Sequence, residues 1–186
     1  MPIVNLHCHP DTACPFLRGV EVDVRRAFGH ELRLIFRIAG DLSQLALPEP
    51  GESRRSDDLW RHSCCEAFIR KPPRIEYYEF NFSPSTAWAI YRFSAYRSPL
   101  PEPSIQNSPQ ILPTAASQVF ELDVVLDLNG LGLGTMGLEL GLATVIESRA
   151  GELSYWALAH PPGRPDYHHP DSFALTIASM STSASY

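Results

Sequence analysis

Three glutamates of this sequence stand at positions where a carboxyl group could do chemistry or hold a ligand. Glu66, Glu79 and Glu147 each interrupt a segment that otherwise has the apolar pattern of a β-strand. Acidic side chains at such positions are rarely buried unless they are paired. Two carboxylates could catalyse glycoside hydrolysis as an acid–base pair. We nevertheless favour structural pairing with arginine, or hydrogen bonding to a ligand, over catalysis.

The three tryptophans are the second group of candidates. Trp60, Trp88 and Trp156 each lie close to polar residues in the sequence. A flat aromatic face with a polar rim suits a sugar ring, but a tryptophan also fills a core well and needs only one partner for its N–H group. Both interpretations stay open for Trp60 and Trp88, whereas the pattern around Trp156 favours a core position.

Three histidines, His160, His168 and His169, lie near Asp166 in the sequence. Histidines could ligate haem or a metal ion, and one could act as a general base because its pKa lies near neutrality. No serine or cysteine nucleophile stands in a recognisable elbow motif. We therefore favour a loop in which these imidazoles cap backbone groups, and keep haem or metal binding as an alternative.

Two further motifs carry less weight. The ligands His7, Cys8, His9 and Cys14 suit zinc, but their spacing matches no familiar zinc module and no second pair completes four ligands. The stretch 130–137, GLGLGTMG, resembles a dinucleotide-binding loop, yet a strand-like segment follows where that motif needs a helix. We predict a flexible loop there and no metal site.

The stretch 75–97, IEYYEFNFSPSTAWAIYRFSAYR, predicts a β-hairpin around the turn at 83–86. Side chains alternate between the two faces of a strand. One face of the first strand is therefore aromatic, whereas the other carries Glu79 and Asn81. An aromatic face suits a sandwich core, and a row of polar groups flanked by tryptophan suits a polar ligand.

The remaining periodicity predicts about nine strands, and no helix beyond a single turn near 57–62. Proline-rich stretches between the apolar runs, above all 98–114, read as surface loops. The sequence therefore predicts an all-β protein, an antiparallel β-sandwich of jelly-roll-like form. We expect a single domain over residues 1–178, followed by a loose serine-rich tail over residues 179–186.

Composition excludes several classes of partner. The 186 residues carry a net charge of −6, with a pI near 5.6, which argues against nucleic acid. No stretch approaches the roughly 20 apolar residues of a membrane span, and the first twenty residues do not form a signal peptide. We expect a cytoplasmic protein with no membrane partner, in which the four cysteines are reduced thiols.

Several blocks together resemble a known family. They are HPD at 9–11, LWRHSCCEAFI, the hairpin at 75–97, LGLATVIE, and SYWALAHPPGRPDYHHPDSF. Over residues 6–177 the chain resembles the DOMON-like domains related to the ninth family of carbohydrate-binding modules, found in bacterial proteins mostly of unknown function. The resemblance implies a β-sandwich that binds a sugar or, in other branches, haem.

The resemblance also implies site residues. Paired tryptophans hold a terminal sugar in the sugar-binding branch, and Trp88 is the best match, with Trp60 second. Four residues match acidic or amide positions, and their role as ligand-binding groups is our inference: Glu66, Glu79, Asn81 and Glu147. Haem-binding relatives use methionine and histidine as axial ligands, but neither Met136 nor Met180 aligns with that position.

Taken together, these observations predict non-catalytic binding of a small polar ligand, above all a carbohydrate, in a polar and aromatic cleft. We expect the cleft to be lined by some of seven residues: Trp60, Glu66, Glu79, Asn81, Trp88, Glu147 and His160. No catalytic residue, metal ligand or cofactor is predicted. The alternatives are a haem or metal protein using His160, His168 or His169, a hydrolase with paired carboxylates, and a protein interface.

Overall fold

The computed structural model describes residues 2–26, 30–134 and 137–179, which form twelve β-strands and four 3-10 turns. The strands are β1 (Ile3–Cys8), β2 (Leu17–Arg26), β3 (Glu31–Gly40), β4 (Cys64–Arg70), β5 (Tyr77–Phe82), β6 (Trp88–Ala95), β7 (Ser98–Pro99), β8 (Gln110–Ala116), β9 (Val119–Asp127), β10 (Leu138–Glu147), β11 (Leu153–Ala157) and β12 (Leu175–Ile177). The 3-10 turns are Leu42–Gln44, Leu59–Arg61, Asn129–Leu131 and Pro170–Ser172. Among these residues no helix is long and apolar enough to cross a membrane.

Every pairing between these strands is antiparallel, and the strands form two sheets that share β1. The first sheet has the order β1-β2-β3-β9-β8, and the second has the order β7-β6-β5-β4-β10-β11-β1, with β12 paired to β10. The residues Ile3–Leu6 of β1 pair with β2, whereas His7 and Cys8 pair with β11. The path of strands stays open, so the fold is not a closed barrel.

The main core lies between the two sheets. Strands of the first sheet contribute Phe36 and Leu122, and β5 contributes Tyr78, Phe80 and Phe82 from the second sheet. Each fully buried leucine or phenylalanine stabilises the fold by about 1.5–3 kcal/mol through the hydrophobic effect. The alternation predicted for the central hairpin therefore places its aromatic face in the core.

A second, smaller apolar cluster lies on the outer face of the second sheet. Residues 158–174, which we call the crossing segment, cover part of this face between β11 and β12. Tyr167 and Phe173 of the crossing segment pack with Phe68 of β4 and Tyr77 of β5. This cover makes the outer face a second buried layer, where Glu79 and Asn81 lie beside Tyr77.

The predicted fold class, an all-β antiparallel sandwich, is confirmed, but the count of about nine strands is wrong. The pattern missed β1, the two-residue strand β7, and β8, which was expected to be loop. β8 is the edge strand of the first sheet, and most of its residues are therefore exposed. One of them is Pro113. A proline is tolerated at such an edge, where an N–H group needs no partner strand.

Other expectations about the chain stay predictions. The jelly-roll form and the single domain over residues 1–178 are among them. Residues 180–186 of the predicted tail, and Thr135 and Met136 of the glycine-rich loop, lie outside the described residues. The beginning of that loop forms the 3-10 turn Asn129–Leu131.

Candidate functional site

A cleft of about 750 Å³ opens on the outer face of the second sheet. Its floor is formed by outward-facing side chains of β4, β5, β6, β10 and β11, and the crossing segment covers one side. The residues before β4 and the turn after β6 complete the walls. The lining residues are Asp57, Asp58, Trp60, Glu66, Phe68, Glu79, Tyr91, Phe93, Arg97, Pro99, Val145, Tyr155, Arg164, Pro165, Tyr167 and His168.

Two buried acids lie on the floor of this cleft. Glu66 of β4 is 3% exposed and Glu79 of β5 is 6% exposed. The register of the two strands pairs Glu66 with Asn81, so Glu66 and Glu79 are diagonal neighbours on the same face. Diagonal neighbours in an antiparallel pair are typically about 7–8 Å apart. The sheet therefore brings two carboxyl groups together at one point of the floor.

The carboxyl group of Glu79 accepts one hydrogen bond and lies close to an imidazole. The side-chain amide of Asn81, which is fully buried, donates a hydrogen bond of 2.7 Å to Oε1. Nε2 of His168 lies 3.6 Å from Oε2. Burial raises the pKa of Glu79, while the Asn81 hydrogen bond and the charge of Arg97 oppose that rise. Burial outweighs them, so the pKa of Glu79 stays raised.

Glu66 has no such support. Its side chain makes no hydrogen bond or ion pair with any described residue, and Oε1 is buried without a partner. Burial and the neighbouring charge of Glu79 raise the pKa of Glu66 well above the ordinary carboxyl value. Of the two neighbouring acids, Glu66 is therefore the one that favours its protonated form more strongly. The floor presents two buried carboxyl groups that differ in their affinity for a proton.

His168 reaches the acids from the crossing segment. Its Nδ1 lies 2.8 Å from the hydroxyl oxygen of Tyr77, which accepts a hydrogen bond from the backbone N–H of Arg97. Burial lowers the pKa of His168 to about 4, so the imidazole is neutral at neutral pH. In the tautomer in which Nδ1 accepts from the Tyr77 hydroxyl, the ring N–H lies on Nε2, the nitrogen nearer to Glu79.

Asp166 fixes the crossing segment to the turn after β6. Its carboxylate accepts hydrogen bonds from the Tyr96 hydroxyl at 2.7 Å and from the Arg97 guanidinium at 2.9 Å. The backbone N–H of His168 donates to the same carboxylate. Although burial opposes it, these hydrogen bonds hold the pKa of Asp166 below its usual value. The contacts set the position of His168 over the acids.

Aromatic rings stand around the acids. Trp60, in the 3-10 turn before β4, is 46% exposed, and the guanidinium of Arg61 lies 5.3 Å from its ring centroid. On β6, the hydroxyl of Tyr91 donates a hydrogen bond of 2.7 Å to Asp57. Rings of this kind offer flat apolar faces beside polar groups, which is the combination that stacks on a sugar ring.

The structure brings four of the seven predicted site residues together and leaves three elsewhere. Trp60, Glu66 and Glu79 line the cleft, and Asn81 supports Glu79. Trp88 packs against the core between the sheets. Glu147 lines a neighbouring cavity of about 660 Å³, where it lies beside His62. The Nε2 atom of His160 lies 2.7 Å from the backbone carbonyl oxygen of His7.

The three histidines proposed for haem or metal do not converge. His168 lines the cleft, His160 stacks edge-on against His9, and Nδ1 of His169 accepts a hydrogen bond from the backbone N–H of Asp171. Within the part of the chain that the structure describes, no group of three or more metal-ligating side chains occurs. His169 therefore caps a backbone group, which is the role that the sequence analysis favoured.

The alternation of side chains along β6 could have identified two lining residues that the sequence analysis missed. Tyr91 and Phe93 of β6 pair with Glu79 and Tyr77 across the hairpin and so share their face. Continuing the alternation around the turn would have placed both on the cleft side. No local pattern predicts that Tyr155 and Tyr167 join them, since β11 and the crossing segment come from a distant part of the chain.

No protein-family model and no curated protein matches this sequence. The structure is similar to the crystal structure of a putative carbohydrate-binding protein from Bacteroides uniformis, with a TM-score of 0.65 and 14% sequence identity. The similarity covers 92% of this chain and 83% of the other. At this identity the similarity shows the fold alone, that of an all-β protein with two antiparallel sheets.

Proposed function

We propose that this protein binds a small carbohydrate in the cleft without cleaving it. The observation that carries the proposal is the buried Oε1 of Glu66, which lies without a hydrogen-bond partner in a cleft walled by aromatic rings. Leaving a buried polar group without a partner costs about 1–3 kcal/mol. A hydroxyl group of a bound ligand would remove that cost.

The chemistry of the cleft suits a polyhydroxylated ring. A sugar hydroxyl both donates and accepts, so it can hydrogen-bond to Glu66 and to Glu79 whether each carboxyl group is protonated or ionised. Trp60 and Tyr91 offer ring faces at the entrance. The cavity volume lies within the range of about 300–1,000 Å³ that is usual for small-molecule sites.

The carbohydrate-binding description of the Bacteroides uniformis protein supports the same class of ligand. The finer assignment, to the DOMON-like domains related to the ninth family of carbohydrate-binding modules, stays a prediction. Within this proposal the binding residues are Trp60, Glu66 and Glu79, supported by Asn81. Trp88, the favoured platform in the sequence analysis, faces the core and is left out.

A glycan array followed by titration calorimetry tests the proposal. We expect Trp60→Ala to weaken binding of the best glycan about tenfold or more, because a ring face at the entrance is lost. The matched control is Leu112→Ala on β8, which removes a 64% exposed apolar side chain from the other sheet. Failure of every glycan to bind the folded wild-type protein would overturn the proposal.

Hydrolysis of a glycoside is the second candidate function, because two buried carboxyl groups share the floor of the cleft and burial raises the pKa of Glu66 more strongly. Hydrolysis would need Glu66 to protonate the leaving oxygen and Glu79 to act as nucleophile or to activate water. Release of sugar from aryl glycosides by the wild type, but not by Glu66→Gln or Glu79→Gln, would establish it. Equal background rates in all three proteins would exclude it.

A further inference from the structure

The acids at the entrance of the cleft have positive partners of their own. Asp57 lies 3.0 Å from the guanidinium of Arg55, and this pairing holds the pKa of Asp57 below its usual value. Asp58 lies 3.5 Å from Arg61. These entrance acids are also more than half exposed, so water and the arginines share in neutralising them. A ligand therefore does not need to supply a cation to neutralise them.

The acids on the floor form no ion pair with an arginine or a lysine among the described residues. Glu66 has no charged or polar partner among the described residues, and the groups that contact Glu79 are the amide of Asn81 and the neutral imidazole of His168. Arg97, which also lines the cleft, is paired with Asp166. Buried carboxylates without a cation are costly, and each is stable only if it is protonated or if a cation joins it.

A ligand that brings a cation would therefore fit this floor better than a neutral one. An ammonium group has three N–H donors, enough for the free Oε1 of Glu66 and for Glu79 together. Tyr91 and Phe93 line the cleft beside the acids, and aromatic faces attract cations by about 0.5–2 kcal/mol. The floor combines two features of an ammonium site, namely carboxylates and ring faces.

We infer that the ligand of this cleft is an amino sugar whose free amine, as an ammonium ion, lies between Glu66 and Glu79. This inference rests on the proposed binding of carbohydrate and adds the chemical class of the sugar. The ammonium takes the place of the proton that Glu66 holds in the empty protein. One proton passes to the solvent as the ligand binds, so the ammonium replaces a proton and the net charge of the floor stays the same.

The proton that is released on binding comes from Glu66 and Glu79 as a pair. Few other titratable or charged groups lie next to these two acids. Glu66 faces Glu79 on β5, Tyr167 of the crossing segment and the thiol of Cys64 on its own strand, whereas the thiol of Cys65 lies on the opposite face of β4 but close enough to feel the charge of Glu66. Glu79 faces Arg97 and His168 as well as Asn81. Burial and neighbouring charges raise the pKa of both thiols and of Tyr167, so these groups stay protonated and do not contribute the released proton.

Three β-1,4-linked disaccharides that differ only at carbon 2 test the inference. They are chitobiose with free amines, its N,N′-diacetyl form, and cellobiose. At about pH 6, below the ordinary pKa of an amine, we expect the free diamine to bind at least tenfold more tightly than cellobiose, which is about what one charged hydrogen bond contributes. Calorimetry in two buffers of different ionisation enthalpy should show release of about one proton for the diamine and none for cellobiose.

Glu66→Gln is the discriminating variant, with Glu121→Gln on β9 as its matched control. Glu121 pairs with Arg37 on the other sheet, so its loss removes one negative charge far from the cleft. Glu66→Gln should abolish both the preference for the amine and the proton release, because glutamine carries neither a charge nor a proton that titrates in this range. The control should behave as the wild type.

The outcomes separate this inference from the proposed function. Cellobiose or the diacetyl sugar binding as tightly as the diamine would overturn the inference and leave carbohydrate binding intact. A preference for the diamine that survives Glu66→Gln would also overturn it, since the amine would then lie elsewhere. If no sugar of any kind binds, the proposed function fails together with it.

Discussion

At the scale of single residues, Glu66 is the most informative side chain of the molecule. An acid buried to 3% exposure needs a partner or a proton, and the structure supplies no partner among the residues it describes. Glu79 is the diagonal neighbour of Glu66 on β5; it accepts a hydrogen bond from Asn81 and lies near the imidazole of His168. The two acids thus differ in their surroundings, because Glu79 has a hydrogen-bond donor and Glu66 has none.

The first prediction concerns how Glu66 couples stability to pH. A carboxyl whose pKa is raised in the folded state binds more protons there than in the unfolded state, so its contribution to the free energy of unfolding falls as pH rises. The fall begins above the ordinary carboxyl pKa of about 4.3 and cannot exceed about 1.4 kcal/mol per pH unit for one proton. Glu66→Gln should therefore gain stability over the wild type as pH rises from about 5 to 8, measured by urea unfolding.

His168 contributes with the opposite sign, so only the difference between the two proteins is informative. Its pKa is lowered by burial to about 4, and the unfolded chain therefore binds the extra proton between that pH and about 6.5. This contribution is present in both proteins and cancels in the difference. Parallel unfolding curves for the wild type and Glu66→Gln across the whole range would contradict the raised pKa.

The sequence predicted part of this chemistry at residue scale. Glu79 and Asn81 follow from the alternation of β5 alone, because both stand opposite the aromatic face. The face of Trp88 depends on the register of the hairpin, which pairs Trp88 with Phe82 and so turns it to the core. A shift of one residue would reverse that face, and the composition of the turn at 83–86 did not fix the register.

At the scale of elements, the cleft depends on how closely the crossing segment approaches the sheet. Gly141 of β10 lies directly under the 3-10 turn Pro170–Ser172, and a Cβ placed there would lie 2.9 Å from the backbone carbonyl oxygen of Ser172. A backbone atom at that distance cannot move aside alone. Because Gly141 has no side chain, the crossing segment, which carries His168, can lie this close to the sheet.

Gly141→Ala tests this contact. The added methyl group should push the turn Pro170–Ser172 outward and destabilise the protein by about 1–3 kcal/mol, as overpacking does. Ligand binding should weaken as well, since His168 moves with the segment. Thermal unfolding and calorimetry measure the two effects.

The matched control is Gly19→Ala in β2, where a Cβ would meet no atom within 4 Å. We expect this variant to keep the stability of the wild type within about 0.5 kcal/mol. Equal behaviour of the two alanine variants would show that the crossing segment does not depend on the close approach at Gly141.

Element prediction from the sequence succeeded where one face of a strand is buried. In β9 the burial alternates residue by residue over Val119–Asp127, so its sequence, VFELDVVLD, has the apolar alternation that indicates a strand. In β8 the alternation is weak because most of its residues are exposed. An edge strand without a buried face leaves little periodicity to read, which explains why 98–114 was interpreted as loop.

At the scale of the whole molecule, the cleft is assembled from parts of the chain that lie far apart in sequence. Glu66, Tyr91, Val145 and Tyr167 meet only because β4 pairs with both β5 and β10 and the crossing segment returns over them. Periodicity within a segment predicts the face of a side chain, but pairing between distant strands decides its neighbours. The presence of acids and aromatic rings was therefore predictable, whereas their meeting at one cleft was not.

The central position of β4 leads to a prediction for the whole fold. Cys64 and Cys65 of β4 are buried, and burial, aided by the charge of Glu66, raises the pKa of both thiols. Because β4 lies between β5 and β10, a reagent reaches these thiols only when the sheet opens. The half-buried thiols of Cys8 and Cys14 should react with a thiol reagent in the native protein, whereas Cys64 and Cys65 should react only at the rate set by global unfolding.

Ligand binding should slow the labelling of Cys64 and Cys65, because a ligand that binds only the folded state stabilises it by RT ln(1 + [L]/Kd). At a sugar concentration of 100 times Kd, the labelling should slow by about a hundredfold. The rates at Cys8 and Cys14 stay unchanged as an internal control, and mass spectrometry of labelled peptides separates the two classes. Trp60→Ala at the same sugar concentration should lose most of this protection. Labelling of Cys64 as fast as that of Cys8 would show that the sheet opens locally at β4, and the floor of the cleft would then not be the rigid platform that the proposed binding requires.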